Sequence, residues 1–457
     1  MKRAMNRRAG KVIRITGWVF LMGAGLLLLG AVLFFRSALY NRFVLYPRQA
    51  AAWEALRRQA QPVTLEDGWQ EYRGVCHNHT NQSHDSDGTY EQILAAARQA
   101  QVDFVLMANH CDQGIGRYSR GWEGDHEGVT FVRGYEMENG FMPWGLPENA
   151  DIDCKAEPAR LAQQIEDAGG LLFYAHPEES RRWDLPQLKG MEIYNFHADA
   201  LKDESVSEFL RDMLFSIRSY PDQVFRRIYD RPAGVIARWD ELNRTRRIAG
   251  IGGNDAHQNT GFRGYYTEKD TFQLRRRDPK GIFGEWKLNL LTRFLLRLAF
   301  GPLEQGKLLF SFTADPYERT FRFINTHILA KEKSGASILD ALRAARAFVA
   351  FDMLADARGF VFMAQSGQQT AVMGEDLPFA GGITLRAESP LPCRFTLRRD
   401  GEEVRQQAGR SFEYEPDRPG NYRVECELEI LGEWTPWIYS NPIRILLPGS
   451  PGEANKK

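Results

Sequence analysis

The sequence predicts a mixed α/β chain in three parts: an N-terminal transmembrane helix, a domain of parallel strands alternating with helices, and a small all-β sandwich. Three observations carry this. An uncharged apolar run lies near the start, and short apolar strands alternate with helical patterns from residue 72 to about 257. From roughly residue 366, helical periodicity gives way to β-rich stretches separated by turn residues. The organisation implied is a tail and anchor over 1–45, an α/β domain over 46–360, a sandwich over 361–450 and a polar tail over 451–457.

The apolar run, Ile15 to Phe35, reads ITGWVFLMGAGLLLLGAVLFF, 21 residues without a charge. At about 1.5 Å per residue it spans a hydrocarbon core of roughly 30 Å. Lys2, Arg3, Arg7, Arg8, Lys11 and Arg14 precede it without an acidic residue, against Arg36, Arg42 and Arg48 just after it. Positive-inside bias therefore predicts a single-pass protein with a cytoplasmic N-terminus and a periplasmic or extracellular remainder. A cleaved signal peptide is the competing reading, but its apolar region usually runs about 7–15 residues and ends on small residues, whereas Arg36 follows here. A second apolar stretch, Leu288 to Phe300, carries two arginines, follows the basic run Arg275, Arg276, Arg277 and is too short to span. A core-facing helix is the favoured explanation for it, and an amphipathic helix in the membrane interface the alternative.

Strands are expected at Tyr72–Cys76, Val102–Met107, Val129–Val132, Leu171–Tyr174, Met191–Tyr194 and Arg247–Gly252. Between the first two, Ile93, Ala96, Ala97 and Ala100 recur at helical spacing behind an Asp-Gly-Thr start signal. The later segment offers Ile383–Ala387, Arg394–Arg398, Ser411–Tyr414, Tyr422–Ile430 and Trp437–Leu446, which suggests an immunoglobulin-like sandwich. It contains no histidine, so imidazole-based metal chemistry does not belong there. Trp434, Trp437 and Tyr439 lie in it, with core packing the default over an aromatic binding platform.

The 59 basic residues balance 59 acidic ones, which removes any global attraction to polyanions, and no nucleotide-binding glycine loop appears. No nucleic-acid partner is expected. The five cysteines show no metal-binding spacing. Cys393 and Cys426 share one segment, and a disulfide between them and two reduced buried thiols are both open. Cys111, beside His110, reads as a bystander.

Five of nine histidines, His77, His79, His110, His176 and His257, follow predicted strands directly or nearly so, and Glu136 and Asp255 occupy the same kind of position. The C-terminal ends of parallel strands in a barrel converge on one mouth, which lets residues distant in sequence surround a small volume. His77 and His79 are two apart, which places both imidazoles on one face of a strand. One such histidine is more often structural; five with interleaved acids reverse that reading.

The segments HNHTNQSHDSDGT (77–89), ANHCD (108–112), GYE (134–136), YAHP (174–177) and GGNDAH (252–257) resemble, in order, the motifs of the PHP (polymerase and histidinol phosphatase) family, and look most similar to its carbaryl-hydrolase-like branch. The resemblance covers about residues 70–260 and extends loosely to about 355 through a closing helix pattern over 337–348. It implies a distorted seven-stranded β/α barrel holding two or three divalent metals. His77, His79, Glu136 and Asp255 would hold one; Glu136 would bridge to a second that His176 also binds; His110 and His257 would serve the third. Asp87 matches the acid of that third site by motif, with His84 and Asp85 as rivals because SHDSDG carries three extra residues. Two departures stand out: residues 137–150 lack the histidine that many relatives carry there, and Asn109 replaces a usual aspartate. Glu192 in MEIYN resembles an element that shapes the pocket floor, although a solvated carboxylate is the plainer reading.

Imidazole and carboxylate ligands suit zinc, manganese or iron. Such cations would lower the pKa of a bridging water and offset charge on phosphoryl oxygens, with Glu136, His176 and Asp255 at the centre of the chemistry. The expected activity is therefore a membrane-anchored, metal-dependent phosphoesterase acting on a small molecule. Ester or carbamate hydrolysis on the same centre is the alternative, as is a catalytically lapsed, metal-stabilised scaffold. Asp112 and His197 are candidates for the general acid.

Overall fold

The computed structural model describes residues 2–111, 121–202, 206–229, 231–277 and 281–447. Asp112 and the expected tail over 451–457 lie outside them. The chain forms two compact units, one of Met1–Ala52 with Asp203–Ile228 and the other of Trp53–Lys202 with Tyr229–Lys457. This differs from the expected division. Residues 203–228, expected within the α/β domain over 46–360, group with the N-terminal segment, and no unit boundary falls at 360/361.

The first unit opens with an α-helix over Lys2–Tyr40, which passes through a π-helical turn, Asn41–Leu45, into the helix Tyr46–Arg57, whose last residues, from Trp53, belong to the second unit. This helical run is long and apolar enough to cross a membrane, a test that a signal sequence also meets. From Leu21 to Phe34 its large apolar side chains are exposed, Leu27 by 78%. Beyond that stretch the unit is held by polar contacts. The buried Asp212 accepts from Asn41 Nδ2 at 3.0 Å and Tyr46 Oη at 2.8 Å and pairs with Arg227. A carboxylate taken out of water needs such partners.

The second unit is built on β1 (Gln70–Asn78), β2 (Phe104–Met107), β3 (Asn109–His110), β4 (Gly124–His126), β5 (Val129–Val132), β6 (Tyr135–Glu136), β7 (Phe141–Trp144), β8 (Leu171–Tyr174), β9 (Leu188–Asn195) and β10 (Ala249–Ala256). Parallel pairing places six of them side by side as β5-β2-β1-β10-β9-β8. These are the six expected strands. Those of β2, β5 and β8 are buried at every position, which explains why Thr130 is the one polar residue among them. β7 extends the row antiparallel to β8, and a bridge from Trp144 to Gly134 ties that edge to the segment following β5. The expected helix after β1 runs over Tyr90–Gln99, capped by reciprocal Thr89 and Gln92 bonds, and buries Ile93, Ala96 and Ala97.

After β10 an insert forms its own antiparallel sheet from β11 (Gly261–Tyr266), β12 (Thr271–Arg276), β13 (Ile282–Lys287) and β14 (Leu308–Thr313), in the order β13-β12-β11-β14. It also carries the helix Leu290–Phe300, in which no residue is buried. The core-facing role expected for that stretch is therefore corrected. β15 (Asn325–Ala330) then pairs antiparallel with the first half of β1, and β16 (Ala347–Ala350) with β15. The closing helix expected over 337–348 stops at Arg343, because Ala345 turns to a positive φ of 57° and β16 begins two residues later.

The C-terminal segment is β-rich, as expected: β17 (Val361–Ser366), β18 (Gln369–Val372), β19 (Asp376–Pro378), β20 (Ile383–Arg399), β21 (Glu402–Tyr414), β22 (Gly420–Ile430), β23 (Glu433–Ser440) and β24 (Ile443–Leu446). Two expected strands are one, since β20 runs through Pro390 and Pro392 with a break in register against β21. β23 pairs with β16, making this segment continuous with the main sheet. Trp437 and Tyr439 are buried there, with Trp437 Nε1 donating to the Ala355 carbonyl at 2.8 Å. Cys393 and Cys426 are free and buried, whereas Cys111 and Cys154 form a disulfide, so Cys111 is no bystander.

Candidate metal centre

The chemistry-bearing side chains sit where the parallel strands end. Cys76 and Asn78 of β1 lie beside Gly253 and Ala256 of β10, with a register shift that sets His77 and His79 against Asp255 and His257. His110 and Glu136 are direct neighbours in the short β3–β6 pair. His176 follows β8. Three of these residues, His77, His176 and Asp255, hold positive φ of 64°, 48° and 48°. Left-handed backbone at non-glycine residues costs of order 1 kcal/mol or more and gathers where function requires it.

Two carboxylates form the hubs. Glu136 Oε2 lies 3.1 Å from His77 Nε2 and 3.5 Å from both His79 Nε2 and His110 Nδ1, while Oε1 lies 3.2 Å from His176 Nε2. Asp255 Oδ1 is 3.4 Å from His77 and His79 Nε2 and 3.3 Å from His257 Nδ1, and its Oδ2 is 3.5 Å from His176. Asp85 Oδ2 joins His110 Nε2 at 3.2 Å to His257 Nε2 at 3.1 Å. The ligand atoms fall into four overlapping sets, each within 4.8 Å: His79, Asp85, His110 and His257; His77, His79 and Glu136; His77, His176 and Asp255; and His197, Asp255 and His257.

Seven of the eight expected ligands are thus brought together. Asp87 is not: it pairs with Arg263 at 2.7 Å and Arg277 at 3.6 Å, and its rival Asp85 stands between His110 and His257. His84 stacks obliquely on His110 with ring centroids 5.0 Å apart. Of the candidate acids, His197 adjoins Asp255 and His257, and Asp112 lies outside the described residues.

A second layer holds these groups. Glu192, fully buried in β9, meets His77 Nδ1 at 2.7 Å and accepts from the His176 backbone N–H at 2.9 Å and Asn195 Nδ2 at 3.0 Å. Gly253 makes room for it, since a Cβ there would collide with the Glu192 carboxylate. The plain solvated reading of Glu192 is overturned. A carboxylate inside an apolar strand was itself the available signal, because burial demands a charged or hydrogen-bonding partner. Asn109 is buried and accepts from the Thr80 N–H at 2.7 Å while donating to Tyr90 Oη at 3.2 Å, a role that an uncharged amide fills. Ser83 Oγ accepts from the His110 N–H at 2.9 Å. Glu178 Oε1 lies 3.4 Å from His176 Nδ1.

The electrostatics call for cationic charge. Burial works against ionisation of Glu136 and Asp255, yet the surrounding imidazoles, His77 first, hold both well below the usual carboxylate range. Burial likewise opposes the imidazolium of His257, but Asp255 and Asp85 raise it to about 9. His79 goes the other way: burial, then the neighbouring His257, push it down to about 3. His79 is therefore a neutral imidazole, the form that ligates. Its Nε2 and Asp255 Oδ1, 3.4 Å apart, are buried without a well-directed hydrogen bond, and the same holds for Asp85 Oδ1 and His257 Nε2. Buried polar atoms left poorly paired around one small volume fit a bound cation, which would replace the proton on His257.

No family model matches the chain, and no curated protein matches it. Among solved structures, it is similar to the crystal structure of a two-domain protein from Bacteroides vulgatus containing a predicted PHP-like metal-dependent phosphoesterase. That likeness is at 12% identity over 83% of this chain and 98% of the other, with a TM-score of 0.36.

Proposed function

We propose that this chain is a PHP-type metal-dependent phosphoesterase, held at a membrane by its N-terminal helix with the metal centre outside the cytoplasm. The observation that carries the activity is the convergence of His77, His79, Asp85, His110, Glu136, His176, Asp255 and His257 from separate strand ends onto one buried volume. The Trp144–Gly134 bridge, which links the two edges of the parallel row, supports a distorted barrel. The Cys111–Cys154 disulfide supports export, since such bonds persist in oxidising compartments.

The donor set, imidazole and carboxylate without thiolate, fits two or three divalent cations such as zinc, manganese or iron. When bound, they supply Lewis acidity that generates hydroxide near neutral pH and offsets charge on a phosphoryl group. His77, His79, Glu136 and Asp255 would hold one cation; Glu136 would share a second with His176; and His110, His257 and Asp85 would take the third. Glu136 and Asp255, with both oxygens engaged on different imidazoles, would serve neighbouring cations together. Glu192 fixes the His77 ring by accepting at Nδ1, which leaves Nε2 to face the centre. His197, whose proton affinity burial lowers, lies beside Asp255 and would be the group to meet a leaving-group oxygen.

The test is a panel of phosphomonoesters, phosphodiesters, carboxyl esters and carbamates assayed with the full chain and with Glu136→Gln. Metal-dependent turnover of a phosphoester, reduced by at least about 10³-fold in the variant, is the expected result. Turnover confined to carboxyl esters or carbamates would move the substrate class. A wild-type chain that binds metal and turns over nothing would leave a scaffold.

A further inference from the structure

Large apolar side chains are exposed mainly in two regions of the described residues: the N-terminal helix and the insert Gly261–Thr313. A soluble helix on a sheet turns its apolar stripe inward. The helix Leu290–Phe300 does the reverse. Phe300 stacks on Phe310 of β14 at 5.8 Å, and Arg293 pairs with Asp270. The stripe Leu290, Leu291, Phe294, Leu295 and Leu298 is left in solvent, Leu290 by 88% and Leu298 by 74%. The edge strand β13 adds exposed Ile282, Phe283 and Trp286. An apolar surface of this extent on an edge strand and helix invites association unless something covers it.

The charge of the insert indicates what does. The whole chain is neutral, yet residues 261–313 carry ten Lys and Arg against five Asp and Glu. Among the described residues, no carboxylate lies within ion-pair distance of Arg276, Lys287 or Arg297, and Arg275 donates to Gln273 and lies over the Tyr265 ring at 4.8 Å. Arg276 instead lies over the Phe283 ring at 5.5 Å. Leucine and aromatic side chains bordered by unpaired arginine form the composition of surfaces that lie in a bilayer interface and favour anionic lipid.

We propose that the insert Gly261–Thr313 docks on an anionic lipid surface, with Leu290, Leu291, Phe294, Leu295 and Leu298 entering the headgroup–acyl boundary and Arg275, Arg276, Lys287 and Arg297 meeting lipid phosphates. The presence of a bilayer at this domain rests on the anchored reading above; the docking does not depend on catalysis. The insert adjoins the metal centre along the chain, since β11 begins four residues after His257, and Arg263 pairs at 2.7 Å with Asp87, two residues from Asp85.

The full chain is reconstituted into vesicles of phosphatidylcholine alone or with phosphatidylglycerol, bearing a spin label at Leu298→Cys or, as a control, at Glu304→Cys. Relaxation by lipid-soluble oxygen and by a water-soluble nickel chelate reports depth, and retention after an alkaline carbonate wash reports the N-terminal helix separately. The expected result is a several-fold loss of nickel access at 298 in the anionic vesicles, none at 304, and reversal by Arg297→Glu. Equal nickel access at 298 in both vesicles overturns docking, whatever the wash shows. Shielding from both reagents with spin–spin broadening also overturns it, because the occupant is then a second copy of the chain. Shielding at 298 on vesicles that lose the chain to carbonate upholds docking while refuting the anchor.

Discussion

At the scale of single residues, Asp85 and Asp87 separate what motif matching supplies from what geometry supplies. The SHDSDG element contains both, and only the fold shows that Asp87 turns to Arg263 while Asp85 lies between His110 and His257. We expect Asp85→Asn to lower the number of cations bound per chain and to weaken the remaining affinity by about 10–100-fold. Asp87→Asn should leave metal content unchanged, and elemental analysis of the two purified variants checks this. The histidines and hub carboxylates were legible because each stands next to a strand end, a position that periodicity locates. Glu192 was harder to read, because its importance lies in a 2.7 Å contact with a residue 115 positions earlier. No local pattern encodes such a pair.

At the scale of elements, the six parallel strands were legible from short apolar runs, clearest in β2, β5 and β8, which are buried at every position. Where local propensity met a tertiary demand, the reading failed. Residues 337–348 look helical throughout, but Ala345 adopts a left-handed turn so that 347–350 can pair with β15 and β23. Leu288–Phe300 has the right periodicity for a core helix, and periodicity alone does not say whether the apolar stripe meets protein or lipid. The Cys111–Cys154 disulfide joins the segment after His110 to a loop 43 residues on. Closing a loop of that length contributes up to about 4 kcal/mol in the chain-entropy account. Cys154→Ser should lower the melting temperature measured by calorimetry and weaken cation binding at the Asp85, His110 and His257 group, with full activity of the wild type confined to oxidising conditions.

At the scale of the whole molecule, the division into units was not legible, since residues 203–228 join the N-terminal segment across a long separation in sequence. Nor was the buried His327, which has no motif around it. It lies between Glu71 at 2.6 Å and Asp352 at 2.9 Å, where burial opposes its charge but Asp352 and Glu71 raise it to about 9 from 6.5. The folded state thus holds this proton more tightly than the unfolded chain. Its contribution to stability is fully present below about pH 6.5 and is lost as the pH rises through about 9. Urea unfolding of the wild type should show a decline over that window which His327→Gln lacks. The account as a whole stands on cations gathered by Glu136 and Asp255. The most direct measurement is a manganese titration of the chelator-stripped full chain followed by electron paramagnetic resonance. Bound manganese should show the exchange-coupled signal of ions sharing a carboxylate, and Glu136→Gln should abolish that coupling. A folded wild-type chain that leaves the six-line signal of free manganese undiminished would contradict the account.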